Sequence, residues 1–305
     1  MTDSYGVVSG WVFGNDGYMG TAITKRGNKK LTWETTSEFN IGLDLGFFDN
    51  RISLSMEYYN RIISDLLVSN KSLPAYNEIN TIAANIGKTQ GRGFELTLST
   101  VNIMNKDWTW STDFTFYTFK DNWYERDPNW KPAAYESKKD PIRSYYSYVS
   151  DGLLQVGEKA PAWQPTLVPG QIKLKNLYDT GTSPNVLDQY DKVNLGSQDP
   201  KCTLGLNNTL RYKNLDFNIY FYGEIGRLRG ASYYDAWIVG LGNSLTNVSQ
   251  QSLHSYTNAN QNTTVPNLIE SAYDFGDYYH KKINYLRCRN TVSYTHLTLP
   301  TKLEV

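Results

Sequence analysis

Cysteine is nearly absent: Cys202 and Cys288 are the only two in 305 residues. No disulfide framework can therefore replace a packed core. The three histidines, His254, His280 and His296, have no carboxylate or cysteine at metal-ligand spacing. Neither a G-x-S-x-G nucleophile elbow nor a G-x-x-x-x-G-K-[ST] phosphate loop occurs. The chain reads as a non-enzyme. Net charge is missing too, because 30 Lys and Arg balance 30 Asp and Glu. That balance gives no electrostatic reason to expect nucleic acid as a partner. No segment approaches the ~18 consecutive apolar residues of a membrane helix. Any lipid-spanning role would then need a strand barrel, the other architecture that satisfies its backbone in hydrocarbon. The mean hydropathy of −0.52 allows this, since barrel strands are only half apolar.

What is present is strict alternation. Phe39, Ile41, Leu43, Leu45 and Phe47 hold odd positions, with Asn40, Gly42, Asp44 and Gly46 between them. After Asp49-Asn50 the apolar set moves to even numbers, as Ile52, Leu54, Met56 and Tyr58, with Ser53, Ser55 and Glu57 between. A period of two is the signature of a strand. The parity flip is what a two-residue hairpin loop imposes, because Phe47 and Ile52 then share a face. Phe94, Leu96 and Leu98 alternate with Glu95, Thr97 and Ser99. Beyond an Asn105-Lys106-Asp107 turn, Trp108, Trp110, Phe114 and Phe116 alternate with Thr109, Ser111, Asp113 and Thr115. Leu204, Leu206, Leu210 and Tyr212 alternate with Thr203, Gly205, Asn207, Thr209 and Arg211. A Lys213-Asn214 turn flips parity again to Leu215, Phe217, Ile219 and Phe221, opposite Asp216, Asn218 and Tyr220. The fold class is all-β and antiparallel.

Two architectures use such strands. A soluble sandwich buries the apolar face, whereas an outer-membrane barrel turns it to lipid and lines a lumen with the polar one. Connection lengths separate them. The turns above are tight, while the connections over 60–91, 118–200 and 223–282 are long. Short periplasmic turns and long extracellular loops are the rule in bacterial barrels, and long structureless loops are rare in soluble domains. Tyr and Trp, 24 and 8 of them, gather near strand ends at Tyr58-Tyr59, Trp108, Trp110, Tyr212 and Tyr222, as in interfacial girdles. Cys202 falls in a lipid-facing slot and reads as a small hydrophobe. Met1-Thr2-Asp3 runs into Tyr5-Gly6-Val7-Val8 without a basic or apolar leader. A barrel of this kind is then expected to be a fragment.

Several stretches resemble the SusC/RagA class of TonB-linked outer-membrane transporters. Leu31-Thr32-Trp33-Glu34-Thr35-Thr36-Ser37-Glu38-Phe39-Asn40-Ile41-Gly42-Leu43-Asp44 is similar to that family's "LxWExTxxFNxGLD" strand. Phe47-Phe48-Asp49-Asn50-Arg51-Ile52, Glu57-Tyr58-Tyr59-Asn60 and Ser64-Asp65-Leu66-Leu67 are similar to "FFNNR…EYYN…DLL". Asn85-Ile86-Gly87 with Gly91-Arg92-Gly93-Phe94-Glu95, and Pro169-Gly170-Gln171-Ile172-Lys173, resemble "NxG…NKGxE" and "PGDIK". Asp199-Pro200-Lys201, Gly205-Leu206-Asn207-Asn208-Thr209 and Tyr285-Leu286-Arg287 with Asn290 continue in family order. The resemblance implies the C-terminal portion of a plugged transmembrane barrel of about 22 strands, over residues 1–290, in the outer membrane of a Bacteroidetes-like bacterium. It implies import of an oligosaccharide or peptide, a SusD-like surface lipoprotein as partner, and TonB acting through regions upstream.

On this reading Asn40, Asp44, Glu57, Glu95, Asp113, Asn207, Arg211, Asp216 and Asn218 face the lumen. The loop aromatics Trp123, Tyr124, Trp130, Tyr145 and Tyr146 are candidates for substrate or partner contact, since rings with polar tips suit recognition surfaces. The alternatives are a passive porin and a secreted glycan-binding sandwich. Two stretches depart from the family. Where it often has an acidic calcium loop, this chain has Asn176, Asp179, Asp188 and Asp191 at stretched spacing, with Tyr178 in an oxygen-ligand place. Calcium needs six or more oxygens, so no cofactor is expected, with a calcium site or a solvated Asp/Asn turn as the readings of those four residues. After Asn290, residues 291–305 resemble translated adapter read-through and are set apart as a non-native tail, although they alternate in part as a divergent strand would.

Overall fold

A computed structural model describes residues 3–13, 16–72, 81–178, 185–230, 250–267 and 275–295. The chain forms two compact units, one of residues 1–40, 59–92 and 121–130 and one of residues 41–58, 93–120 and 131–305. In chain order the strands are β1 (Ser4–Phe13), β2 (Asp16–Lys25), β3 (Thr35–Phe47), β4 (Ile52–Ser64), β5 (Leu67–Ser72), β6 (Thr81–Asn85), β7 (Lys88–Met104) and β8 (Trp108–Glu125). They continue as β9 (Ser144–Ser147), β10 (Ser150–Leu153), β11 (Ile172–Leu174), β12 (Val193–Ser197), β13 (Cys202–Tyr212), β14 (Leu215–Arg229) and β15 (Lys281–Thr295). Seven of them form one sheet in the order β15-β14-β13-β8-β7-β4-β3. In the first unit β1 pairs with β2 and β5 with β6, both antiparallel.

Three tight turns organise the sheet, each for a local reason. Asp49 and Asn50 both have positive φ, 52° and 62°, and the Arg51 N–H donates to the Phe48 carbonyl at 3.1 Å. Two positive φ angles twist a hairpin loop in the sense of its strands, and Asn and Asp tolerate them. At the next turn the Asn105 side-chain oxygen accepts from the Asp107 and Trp108 N–H groups at 3.1 and 2.8 Å. At the third, Tyr212 and Leu215 are register partners across Lys213-Asn214.

The registers confirm two unlike faces. Leu204, Leu206 and Leu210 of β13 oppose Phe116, Phe114 and Trp110 of β8, and Gly223, Phe221 and Phe217 of β14. Asn207, Thr209 and Arg211 oppose Asp113, Ser111 and Thr109 on one side, and Tyr220, Asn218 and Asp216 on the other. Cys202 pairs with Ile225 on the apolar face. None of these apolar side chains is buried. On β3, Phe39, Ile41 and Leu43 expose 61, 59 and 50 % of their surface, where a sandwich would bury them.

The hydrophobic core of the second unit lies in the connections. Leu153, Ile172, Leu174, Tyr256 and Tyr279 are buried together, with Tyr148, Leu187, Val265, Phe275 and Tyr278 packed against them. Two small ladders, β9 with β12 and β10 with β11, frame this cluster. Gly170 has φ +87°, and a Cβ there would lie 2.5 Å from the Tyr256 ring. Both facts call for glycine. Its neighbour Gln171 is buried and accepts from the Val168 N–H at 3.0 Å. The Pro169-Gly170-Gln171 turn thus joins the two long connections.

The strands run further than their alternation suggests. β4 continues to Ser64, β7 begins at Lys88, β8 reaches Glu125 and β14 reaches Arg229, so the expected loops over 60–91, 118–200 and 223–282 are shorter at their ends. About 9–11 tilted residues span a bilayer, and β8 has 18. Where a strand extends beyond lipid, both faces meet water and polar contacts, so the two-residue period fades in Lys120-Asp121-Asn122.

Candidate functional site

On the polar face a hydrogen-bonded ladder crosses four strands. Ser99 Oγ of β7 donates to Asp113 Oδ1 of β8 at 2.8 Å. Asn207 Nδ2 of β13 donates to Asp113 Oδ2 at 3.4 Å. Asn218 Nδ2 of β14 donates to Asn207 Oδ1 at 2.8 Å and to Thr209 Oγ1 at 2.9 Å. Strand pairing sets these contacts, because directly opposed side chains sit within hydrogen-bond reach. Nearer the tight turn, Arg211 grips Asp216 through two nitrogens at 2.7 and 3.2 Å, a fork geometry suited to carboxylates. Of the nine residues expected to face the lumen, Asp113, Asn207 and Asn218 belong to this ladder and Arg211 and Asp216 to the pair. Asn40 and Asp44 are exposed on β3 and Glu95 on β7, and Glu57 is half-buried on β4.

A polar cluster on the apolar face escaped the alternation argument. Asn208 Oδ1 accepts from Trp110 Nε1 at 3.1 Å and from Thr112 Oγ1 at 2.8 Å. Asn102 Nδ2 donates to Thr112 Oγ1 at 2.8 Å, and Thr100 Oγ1 to Asn102 Oδ1 at 3.0 Å. Asn208, Thr112, Asn102 and Thr100 each break the apolar parity of their strand, which was the available signal. Mutual pairing lowers the cost of polar groups on such a face. Close by, the Trp108 and Tyr212 rings lie 4.2 Å apart, and Lys213 Nζ stands 5.3 Å above Tyr212. Aromatics and a lysine at the tight-turn end suit an interfacial girdle.

The loop aromatics fall into separate groups. In the first unit Arg126 stacks 3.8 Å over the Trp130 ring and 5.3 Å from that of Trp123. Both rings line a cleft of about 430 Å³ with Lys71, Ile86 and Asp127. Tyr124 is exposed. In the second unit Tyr146 OH donates to Asp140 Oδ2 at 2.8 Å and its ring lies 5.2 Å from that of Tyr135. Burial and that carboxylate push the Tyr146 hydroxyl well above the usual phenol range. Tyr145 meets the edge of His280 at 5.2 Å and lines a second cleft.

The four residues considered for a cation are held differently. Asp191 is fully buried, unlike a solvated turn. Its Oδ1 accepts from the Leu177 and Tyr178 N–H groups at 2.6 and 3.0 Å, and its Oδ2 from Asp188 at 3.0 Å. Asp188 caps a short 3-10 turn over Gln189–Asp191, accepting from the Tyr190 N–H at 2.7 Å. Asn176 lies in the same connection, and Asp179 lies outside the described residues, as does His296. Among the described residues no three His, Cys, Asp or Glu side chains are placed to share a metal ion.

Comparison with known proteins follows this geometry. The family described as TonB dependent receptor-like, beta-barrel, matches residues 3–150. TonB-dependent receptor P3 of Formosa agariphila is 30% identical over 269 residues, 84% of this chain and 26% of that protein. TonB-dependent receptor SusC of Bacteroides thetaiotaomicron is 27% identical over 292 residues, 93% of this chain and 28% of that protein. The solved structure of the RagAB peptide transporter superposes with a TM-score of 0.71 at 20% identity, over 94% of this chain and 31% of that one. The chain thus spans roughly a quarter of the length of the curated relatives it matches.

Proposed function

Because the chain belongs to the TonB-dependent receptor family, whose SusC/RagA-type members are β-barrels of the outer membrane, we propose that it forms part of the wall and mouth of an energised importer. The cargo is an oligosaccharide or a peptide, too large for passive pores. A SusD-like lipoprotein covers the extracellular mouth, and TonB acts on a plug supplied by the rest of the parent protein. The observation that carries this reading is the two-faced sheet. One face is apolar and exposed along β3, the other is a paired polar ladder, and the long connections have their own core. Lipid suits the first face, a wet lumen the second, and a built mouth the third. The loop rings of Trp123, Tyr124, Trp130 and Tyr145 are offered to cargo or to the lipoprotein. Asp188 and Asp191 act as loop scaffolding. The test is uptake of labelled oligosaccharides and peptides by cells carrying the intact receptor, with and without TonB. Uptake lost without TonB supports the importer, and uptake indifferent to TonB favours a passive porin.

The end of β15 belongs to the same reading. Thr291, Ser293 and Thr295 oppose Ile219, Phe217 and Leu215 on the apolar face, while Val292 and Tyr294 oppose Asn218 and Asp216 on the polar one. Polarity there is inverted against the neighbouring strand. That inversion supports treating residues from 291 onward as foreign to the strand.

A further inference from the structure

A cleft of about 400 Å³ lies in the second unit, at the long-loop end of β14, and three arginines line it: Arg143, Arg227 and Arg229. Two of them are locked in place. Arg143 Nη1 donates to Asp199 Oδ1 at 2.9 Å, and its Nη2 to Gln198 Oε1 at 3.1 Å. Arg227 Nε donates to the Gln198 carbonyl at 3.0 Å, and its Nη1 to Glu224 Oε2 at 3.1 Å. Gln198 therefore holds both guanidinium groups against one wall. The two carboxylates that anchor them are not among the lining groups. A guanidinium has five N–H donors, and these two arginines give two each to protein acceptors. Three N–H donors on each group are not used in these bonds.

The wall is built closely around them. A Cβ at Gly230 would lie 2.6 Å from the Tyr145 ring, and Gly226, at φ +78°, bends β14 while its N–H donates to Asn284 Oδ1 at 2.8 Å. Tyr222 OH donates to Glu224 Oε1 at 2.9 Å, and Glu224 opposes Thr203 on the polar face. The cleft itself lies at the long-loop end of β14, beyond the bend at Gly226, the end where cargo arrives on the importer reading. Preorganised, partly desolvated guanidinium groups recognise planar oxyanions in forked pairs.

We infer that this cleft receives a carboxylate or sulfate group carried by the cargo. The inference rests on the importer reading and narrows its cargo to acidic molecules. Acidic glycans and acidic peptides share the chemistry, and the test separates them. Titration calorimetry on the intact receptor in detergent compares hexagalacturonate, hexaglutamate and neutral maltohexaose. One acidic probe should bind about tenfold or more tightly than maltohexaose, and R143Q and R227Q should each weaken it about tenfold, as loss of a charge-assisted pair implies. K106Q, in a tight turn at the opposite end, should leave it unchanged. Equal binding of acidic and neutral probes, or acidic binding untouched by both arginine substitutions, overturns the inference. If the variants fail to assemble, inorganic sulfate is titrated against the bound acid on the unaltered receptor, and failure to displace it overturns the inference equally. Uptake in cells tells the two failures apart. TonB-dependent uptake blind to charge removes the oxyanion site alone. Arginine-dependent acid binding with TonB-independent uptake removes the importer and leaves the site.

Discussion

Single residues show how far chemistry type can be read without its partner. Asp191 was recognisable as a carboxylate with a task, but the task is set by three backbone N–H groups from residues up to 14 positions away. Main-chain donors leave no mark in a motif. Removing a buried acceptor strands those donors, so Asp191→Ala should destabilise the connection by about 3 kcal/mol. Limited proteolysis of the intact receptor checks this, with new cleavage expected between 175 and 192. Unchanged resistance would mean that the contacts are dispensable.

His280 provides a pH signature. Burial lowers its pKa, and Asp277 and the Gly276 backbone oppose that only partly. The unfolded value is about 6.5, so between the two values the unfolded state binds more protons. Stability is then complete above about pH 6.5 and declines as pH falls through the folded value. The Glu158 carboxyl moves in the same direction for another reason. Its bonds to Lys173 Nζ at 2.5 Å and to the Gln155 N–H lower its pKa, and its contribution fades only below the carboxylate range. Loop unfolding followed by proteolysis against pH should show an earlier step that H280Q removes. A single step near pH 4, identical in wild type and variant, would contradict the assignment.

At the scale of elements the alternation rule carried most of the sheet. Three strand pairs were legible, because turn chemistry and parity agree at Asp49-Asn50, Asn105 and Lys213-Asn214, whereas the β1–β2 pair, with Phe13 opposite Asp16, went unread. Two things were not. Strand ends beyond lipid lose their period, and the loop core uses scattered residues such as Ile172, Tyr256 and Tyr279 with no repeat to betray it. Of the candidate site, the polar parity of Asp113, Asn207 and Asn218 was readable, but their partnership needed the register. The faces make unequal demands. Leu206→Arg puts a charge on the apolar face and should cost about 2–4 kcal/mol near the bilayer midplane, whereas Thr209→Arg on the polar face should cost far less. Urea titration of the heat-modifiable gel band of the intact receptor measures both. Equal losses would mean the faces are wrongly assigned. The same assay tests β15. If its last five residues are out of phase, T291V/S293L/T295Y should raise the urea midpoint by restoring apolar contacts with Ile219, Phe217 and Leu215.

For the whole molecule the decisive quantity is uncovered apolar surface. Seven strands leave β3 and β15 as edges, and the smallest membrane barrels close with eight strands. Open edges template pairing with other chains, and a bare apolar face adds a driving force for association. The loop core cannot compensate, since its buried side chains lie in the connections rather than on the sheet. Within the parent barrel further strands cover the edges and lipid covers the face. Expressed alone, residues 1–290 should therefore aggregate without detergent, whereas the intact receptor should extract as a folded, heat-modifiable species. Size exclusion with circular dichroism decides it. A monodisperse, detergent-free fragment with strand-type dichroism would require something to cover Phe39, Ile41 and Leu43, and only a sandwich-like packing of the sheet could do so.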